Sequence, residues 1–370
     1  MAQAVIVDYV RSPFTPARKG PLAGVRPDDL AAAIVKALVA RTGIDPATIE
    51  DLMLGCAFPE GEQGLNMARL VGLLAGLPQS VAGVTINRFC GSSMQAIHSA
   101  AGAIAMGAGE VFICAGVESM SRVPMMGFNP LPNPRLNEDL PGAYMAMGTT
   151  AEHVARRYQV TRTEQERFAA ASHRKAAAAN FSSEIAPVNG IGRDLCIRPE
   201  TTPEILSGLA PAFDAAGTVT AGTSSPLTDG AAAVLVTSQD FAVRHKLKPL
   251  ALIRATAVSG CDPEIMGMGP VGASRKALKR AGLGIQDIDI VEINEAFAVQ
   301  ALACLRELGI DEARVNLDGG AIAIGHPLGA SGARITGKAA SLLVRDRKRY
   351  ALSTQCIGGG QGIATILEAC

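Results

Sequence analysis

In the run Asn87-Arg88-Phe89-Cys90-Gly91-Ser92-Ser93, one cysteine stands where a strand-like segment gives way to a helix-forming one. The thiolate, not the thiol, attacks carbon, and a helix N-terminus supplies roughly half a positive charge and free N–H donors that favour it. Cys90 is therefore a candidate nucleophile. Cys356 closes the strand-like ALSTQC and opens IGGGQG, where three glycines can bring backbone N–H groups close to a substrate oxygen. Cys56, Cys114, Cys196, Cys261, Cys304 and Cys370 carry no such context and read as inert packing residues. A nucleophilic thiol needs a base, and of five histidines only His326 lies in a glycine-rich loop, IAIGHPLGASG. His98, His153, His173 and His245 read as structural or solvated. Asn294, in EINEAFA, ends the strand-like IDIVEI, a usual place for functional groups in α/β sheets, and also reads as a helix cap.

These residues are positioned by a unit written twice. AVIVDYV near the start is echoed by ALIRATAV from Ala251, and each is followed by a helix with apolar residues at helical spacing, Leu30, Ile34 and Leu38 or Ala273, Ala277 and Leu278. Each helix ends at glycine and leads into GIDPATIEDLMLG or GLGIQDIDIVEIN. VTINRFCGSSMQAIHSAAGAIAMG then matches VNLDGGAIAIGHPLGASGARITGKAASLL, both strand, Gly/Ser-rich loop and small-residue helix. Met94, Ile97, Ala101 and Ile104 form one stripe of a helix that should be central and buried. Cys90 and His326 thus occupy equivalent loops, which would meet if the copies pack about a pseudo-twofold axis. Strands apolar on both faces and alternating with helices predict sheets between helical layers, with strands mostly parallel.

The expected fold is α/β and duplicated: two five-stranded mixed sheets in a layered α/β/α/β/α stack, with residues 1–118 plus 221–246 as the first half and 249–370 as the second. Residues 119–220 form an inserted loop domain. Thr149 with Glu152 and Thr163 with Glu166 read as capping boxes opening two helices there, the second stopping at Asn180. Arg156, Arg157, Arg162, Arg167, His173, Arg174, Lys175, Arg193 and Arg198 make the insert locally cationic, either as solvated faces or as a seat for a phosphate-bearing ligand.

The 370 residues are 48% hydrophobic and 18% charged, enough for two or more packed domains. Lys plus Arg and Asp plus Glu balance at 34 each, which argues against nucleic acid or an anionic membrane as partner. The eight scattered cysteines fit neither a zinc site nor a secreted disulfide scaffold, and no leader or run of about 18 apolar residues occurs. A cytoplasmic protein without membrane insertion is expected.

End to end, the chain resembles the thiolases, and most of all the degradative 3-ketoacyl-CoA thiolases of fatty acid β-oxidation. NRFCGSSMQA is similar to the family's nucleophile segment, TVTAGTSSPLTDGAA to its coenzyme A loop, NEAFA to its asparagine motif, GGAIAIGHPLGASGAR to its histidine motif and CIGGGQG to its second cysteine motif. The resemblance implies that Cys90 is acylated, that His326 takes its proton, and that Cys356 is the acid/base for the α-carbon and the coenzyme A thiol. It implies that Asn294 holds an oxyanion-binding water, that the N–H groups of Cys90 and Gly358 form a second oxyanion hole, and that Ser225, Arg198, Met147 and Phe297 contact substrate or coenzyme A. Coenzyme A is a substrate, no cofactor or metal is implied, and the assembly should be a homodimer or homotetramer, with a partner β-oxidation subunit left open. Ala146 stands where acetoacetyl-specific members often carry histidine, and the preceding loop is shorter, which favours degradation over acetoacetyl-CoA synthesis. A decarboxylating condensing enzyme would use a second histidine where Cys356 stands, and a silent acyl-CoA-binding scaffold would need no thiol pair.

Overall fold

The structure, a computed structural model, describes residues 2–370. The strands are β1 (Ala4–Arg11), β2 (Thr15–Pro16), β3 (Asp51–Gly55), β4 (Ala82–Ile86), β5 (Val111–Ser119), β6 (Thr228–Ser238), β7 (Ala251–Gly260), β8 (Ile290–Ile293), β9 (Tyr350–Ile357) and β10 (Gln361–Ala369). The helices are α1 (Pro27–Thr42), α2 (Met67–Leu74), α3 (Ser92–Ala105), α4 (Pro134–Asp139), α5 (Met147–Tyr158), α6 (Arg162–Ala178), α7 (Pro203–Ser207), α8 (Gln239–Arg244), α9 (Gly269–Ala281), α10 (Ala298–Leu308), α11 (Ala321–Ile324) and α12 (Leu328–Asp346).

The duplication is explicit in the pairing. The first copy runs β4-β3-β5-β6-β1 and the second β8-β9-β10-β7, with a lone parallel bridge of Val315 to Val291 standing where β4 would fall. The second copy therefore has four strands rather than the expected five, because its outermost segment makes a single bridge. The copies join edge to edge through two residue pairs, Val5 with Leu252 and Ile6 with Ala251, giving one continuous sheet.

The expectation of mostly parallel strands is corrected: six pairings are antiparallel and three parallel. Strands covered by helices on both faces read as apolar throughout whichever way they run, so their composition does not encode direction. β6 is buried along its whole length, its apolar run over residues 230–236 flanked by Thr228, Asp229, Thr237 and Ser238.

α1 and α2 cover one face of the first half over a core that includes Leu30, Ile34, Leu52 and Val71. α9 and α10 cover the outer face of the second half with Ala273, Ala277, Leu302 and Leu305. Between the halves lie α3 and α12, packed on each other and on strands of both copies. Their contact is backbone to backbone, since a Cβ on Gly332 would sit 2.4 Å from the amide nitrogen of Met94. Both loops that precede these helices are thereby delivered to the same region.

In the insert, α5 begins at Met147, so Glu152 is mid-helix and accepts from the N–H groups of Thr218 and Val219 instead of capping with Thr149. The capping box of α6 is Thr161 with Glu164, two residues before the expected pair, and Glu166 instead pairs with Arg162. The local pattern recurs at both spacings, and only the entry direction of the chain selects one. Among the described residues, no helix is long and apolar enough to cross a membrane.

Candidate active site

Cys90 sits two residues before the first helical residue of α3. Phe89, immediately before it, is held at φ 41°, a left-handed conformation that side chains rarely adopt. The loop is cross-braced: Ser92 Oγ donates to the Phe89 carbonyl at 2.6 Å and accepts from Arg88 N–H at 2.9 Å. Arg88 also reaches across the molecule, donating to Gln95 Oε1 at 3.0 Å and to Gln361 Oε1 of the second half at 2.8 Å. The Gln355 side-chain amide, from the end of β9, donates to the Cys90 carbonyl. Cys90 itself is half-buried and packs against Ala57, Met120 and Leu328.

The thiol is not a resting thiolate. Burial pushes Cys90 up to about 12, while the Gly358 N–H aimed at its sulfur and its own N–H pull the other way. Desolvation of the anion thus opposes the field of the helix end at this thiol. Cys356 is buried at the end of β9, and burial followed by the charge of Cys90 raises its thiol well above the ordinary range. Past it the chain turns through Gly359 and Gly360, at φ 78° and 82°, and returns as β10.

His326 is buried at the entry to α12. Gly325 before it has φ 114°, and a Cβ there would sit 2.7 Å from Thr228 Cγ2, so the residue type sets the approach. The Thr228 hydroxyl accepts from His326 N–H at 3.1 Å and donates to the Pro226 carbonyl at 2.6 Å. Ser331 Oγ donates to the Pro327 carbonyl at 2.9 Å, so its 2.5 Å contact with His326 Nδ1 requires Nδ1 to carry the proton. Nε2 is then the free lone pair, and it accepts from Asn294 Nδ2 at 3.3 Å. Burial, and secondarily the charge of Arg334, lowers His326 to about 3, which keeps the imidazole neutral. Asn294 lies beyond the end of β8, fixed by its N–H to the Thr354 carbonyl at 3.0 Å, and its Oδ1 has no partner among the described residues.

Of the remaining candidates, Met147 lies beside the second-cysteine turn, while Arg198 and Ser225 lie at a separate cleft. Met147, first residue of α5, packs beside Gly358: a Cβ placed there would be 3.5 Å from its sulfur. Phe297 stacks edge-on with Phe213 at 5.8 Å, and the Ser225 N–H donates to the carbonyl of neighbouring Ala296 at 3.0 Å. Arg198 lines a cleft with His173, Cys196, Ser224 and Pro226, flanking Ser225. The other insert cations are largely committed, Arg156 to Asp214, Arg162 to Glu166, Arg167 to Glu312 and Lys175 to the Val315 carbonyl. Arg157, Arg174, Arg193 and Arg198 form no ion pair among the described residues.

The other histidines have structural partners: His98 with Thr365 Oγ1 at 2.8 Å, His173 accepting from Arg198 N–H at 3.1 Å, and His245 stacked on Phe241. His153 sits at the surface, 3.8 Å from Glu264.

Sequence reading missed several supports. Ser331 and Thr228 stand inside quoted motifs and Gln355 next to one, yet the signal there is ordinary Ser, Thr or Gln. Glu118, buried at the end of β5, is the least visible of them. It accepts from Ala57 N–H, Phe58 N–H, the Gln63 amide and Gly329 N–H, at 2.8, 3.3, 2.8 and 2.9 Å, and so ties the first-half loops to the start of α12.

The family model described as the thiolase N-terminal domain matches residues 4–240 and that of the thiolase C-terminal domain matches 247–369. The chain is 49% identical over 391 residues to the 3-ketoacyl-CoA thiolase of Bacillus subtilis (strain 168), covering 100% of both. It is 50% identical over 389 residues to the protein of that name from Idiomarina loihiensis, again covering 100% of both. The crystal structure of human mitochondrial 3-ketoacyl-CoA thiolase is 39% identical and superposes with a TM-score of 0.92, covering 100% of this chain and 99% of that one.

Proposed function

The chain belongs to the thiolase family, and from that premise we propose how its site works. It is an acyltransferase, a 3-ketoacyl-CoA thiolase, which uses coenzyme A to split 3-ketoacyl-CoA into acetyl-CoA and a shortened acyl-CoA in fatty acid β-oxidation. The observation that carries the reading is the meeting of the half-buried Cys90 and the buried Cys356 across the turn that supplies the Gly358 N–H.

His326 Nε2, whose lone pair accepts from Asn294 Nδ2 at rest, takes the Cys90 proton as sulfur attacks the 3-keto carbon. Because both groups are neutral at rest, proton transfer accompanies attack. The N–H groups of Cys90 and Gly358 receive the oxyanion. When the C2–C3 bond breaks, the negative charge spreads to the thioester oxygen, which faces Asn294 and His326, and Cys356 gives its proton to the carbanion as acetyl-CoA leaves. The Cys356 thiolate, made strongly basic by burial, then deprotonates an incoming coenzyme A thiol, which removes the acyl group from Cys90. The two half-reactions give ping-pong kinetics. One thioester is exchanged for others with no net electron transfer, so the chemistry requires coenzyme A as substrate and neither metal nor redox cofactor.

Met147, Phe213 and Phe297 give the acyl pocket an apolar wall, and Ala146 leaves space at the start of α5. Ser225 and Arg198 would meet coenzyme A in the insert, residues 119–220, whose unpaired arginines suit its phosphates. Thiolysis rates over a series of 3-ketoacyl-CoA chain lengths test this: longer substrates should exceed acetoacetyl-CoA in kcat/KM. An enzyme that acts on acetoacetyl-CoA alone and runs fastest in condensation would instead be the biosynthetic acetyl-CoA acetyltransferase.

All eight cysteines are free thiols, which suits a reducing cytoplasm. The outer edge of β4 is unpaired among the described residues, and Leu65, Leu70, Leu73, Leu74 and Val84 around it are exposed. Two copies pairing these edges about a twofold axis would cover them, giving a homodimer whose seam runs into the Cys90 loop. Light scattering should report at least twice the chain mass, falling to one chain in Val84→Asp; a wild-type monomer at micromolar concentration would refute the pairing.

A further inference from the structure

On α12, one turn past the Ser331 that holds His326, lies Arg334, 1% exposed. Its Nη1 donates to Oε2 of Glu292 at 3.3 Å, and Glu292 on β8 is 0% exposed. Glu292 stands two residues before Asn294, so strand alternation puts both on the same face. The ion pair thus joins the strand end that carries Asn294 to the helix that carries Ser331.

The bonding of this pair is incomplete. Arg11, the other large buried cation, uses Nε on Glu184 at 2.8 Å and both terminal nitrogens on Asp194 at 2.7 and 2.8 Å. In contrast, Nε and Nη2 of Arg334 and Oε1 of Glu292 have no partner among the described residues. Apolar residues of similar size would stabilise such a site as well or better, so stability does not account for the pair.

Its surroundings do. The buried charges acting on this pair include Lys338 on α12, Asp318 and Glu295, while Glu118 of β5 is bonded to the start of α12 and Asp229 lies on β6 next to Thr228, whose hydroxyl accepts from His326 N–H. Glu118 is held by the donors described above, and Glu295 by Ser172 Oγ at 2.7 Å, Asn316 Nδ2 at 2.7 Å and Ile322 N–H at 3.1 Å. Asp229 is held by the N–H and hydroxyl of Ser121. Arg334 is the charge that acts on the imidazole, in the same direction as burial. Glu292 is raised by burial to about 7, against the pull of Arg334 and Lys338.

We propose that Arg334 and Glu292 form a positioning device for the His326–Asn294 couple, locking the strand end behind Asn294 to the helix behind His326 and setting the charge the imidazole feels. The proposal rests on the reading of His326 as the base. Removing the arginine takes away a cation that disfavours the imidazolium, so the base is lost to protonation at higher pH. Dropping both charges does the same without leaving a lone buried carboxylate, while lysine keeps the charge and loses the planar fork.

The test is the pH profile of kcat/KM for thiolysis in Arg334→Met, Arg334→Met/Glu292→Met and Arg334→Lys, with circular dichroism confirming the fold at each pH. The first two should show an acid limb about one to two pH units above wild type, with kcat lowered about 10- to 100-fold and KM little changed. Arg334→Lys should keep the wild-type limb with reduced kcat. If Arg334→Met does not fold, the double variant decides. Folded variants whose rates fall by one common factor at every pH would overturn the proposal and leave the pair a packing element. Full activity in His326→Asn would instead overturn the assignment of the base, so the two failures are distinct.

Discussion

Cys90→Ser is expected to lower kcat/KM for coenzyme A-dependent cleavage of a 3-ketoacyl-CoA by about 10⁴-fold or more, with circular dichroism and Tm unchanged. The hydroxyl fits where the thiol sat, since Cys90 is half-buried and the loop is held by backbone and by Ser92, Arg88 and Gln355. What changes is acidity. A thiol loses its proton far more readily than an alcohol in the same surroundings, and its sulfur is the better nucleophile once the proton is gone. The oxyanion donors remain, so a small residual rate over solution is consistent. Mass spectrometry should find no acyl group on the variant, and a variant with near-wild-type turnover would remove Cys90 as nucleophile.

Cys356→Ala separates the two half-reactions. The Cys90 loop, His326 and the Gly358 N–H are all retained but the carbanion loses its proton donor, so acylation should be slowed, with water supplying that proton, and should stop at one acyl group per active site. Deacylation needs the coenzyme A thiol to lose its proton, and the group made basic enough by burial is gone. Steady-state turnover should fall about 10²- to 10⁴-fold. Acyl-Cys90 should then accumulate, visible in the intact mass. An unimpaired steady state would refute the role given to Cys356.

The sulfurs and the imidazole were readable because each sits beside a run of small residues that no core strand or solvated helix needs, and the amide because it ends an apolar strand. The repeat was readable for a related reason: two strand-helix units with matching offsets leave the same apolar signature twice. The supports around them were not. Glu118 in VES and Ser331 in GASGAR look like ordinary polar residues, and what makes them matter is a long-range contact, 211 residues apart for Glu118 and Gly329. Strand direction was misread because burial on both faces erases the pattern that would reveal it. The helix end before which Cys90 stands was legible, whereas the burial that opposes its field depends on packing from the other half of the chain. In the insert, Arg156, Arg162 and Arg167 looked available for a ligand only until their carboxylate partners, distant in sequence for two of the three, came into contact.

The two copies share strand order and pairing sense, and the loops before α3 and α12 are equivalent in that order. In an ancestor made of two identical chains, both loops would have carried the same residue, and sulfur would have faced sulfur or imidazole faced imidazole. In one polypeptide that carries both copies, each position is free to differ. Cys90 and His326 divide the labour between equivalent loops of unlike halves, and a polypeptide cut between 246 and 249 should regain activity only when the unlike fragments recombine.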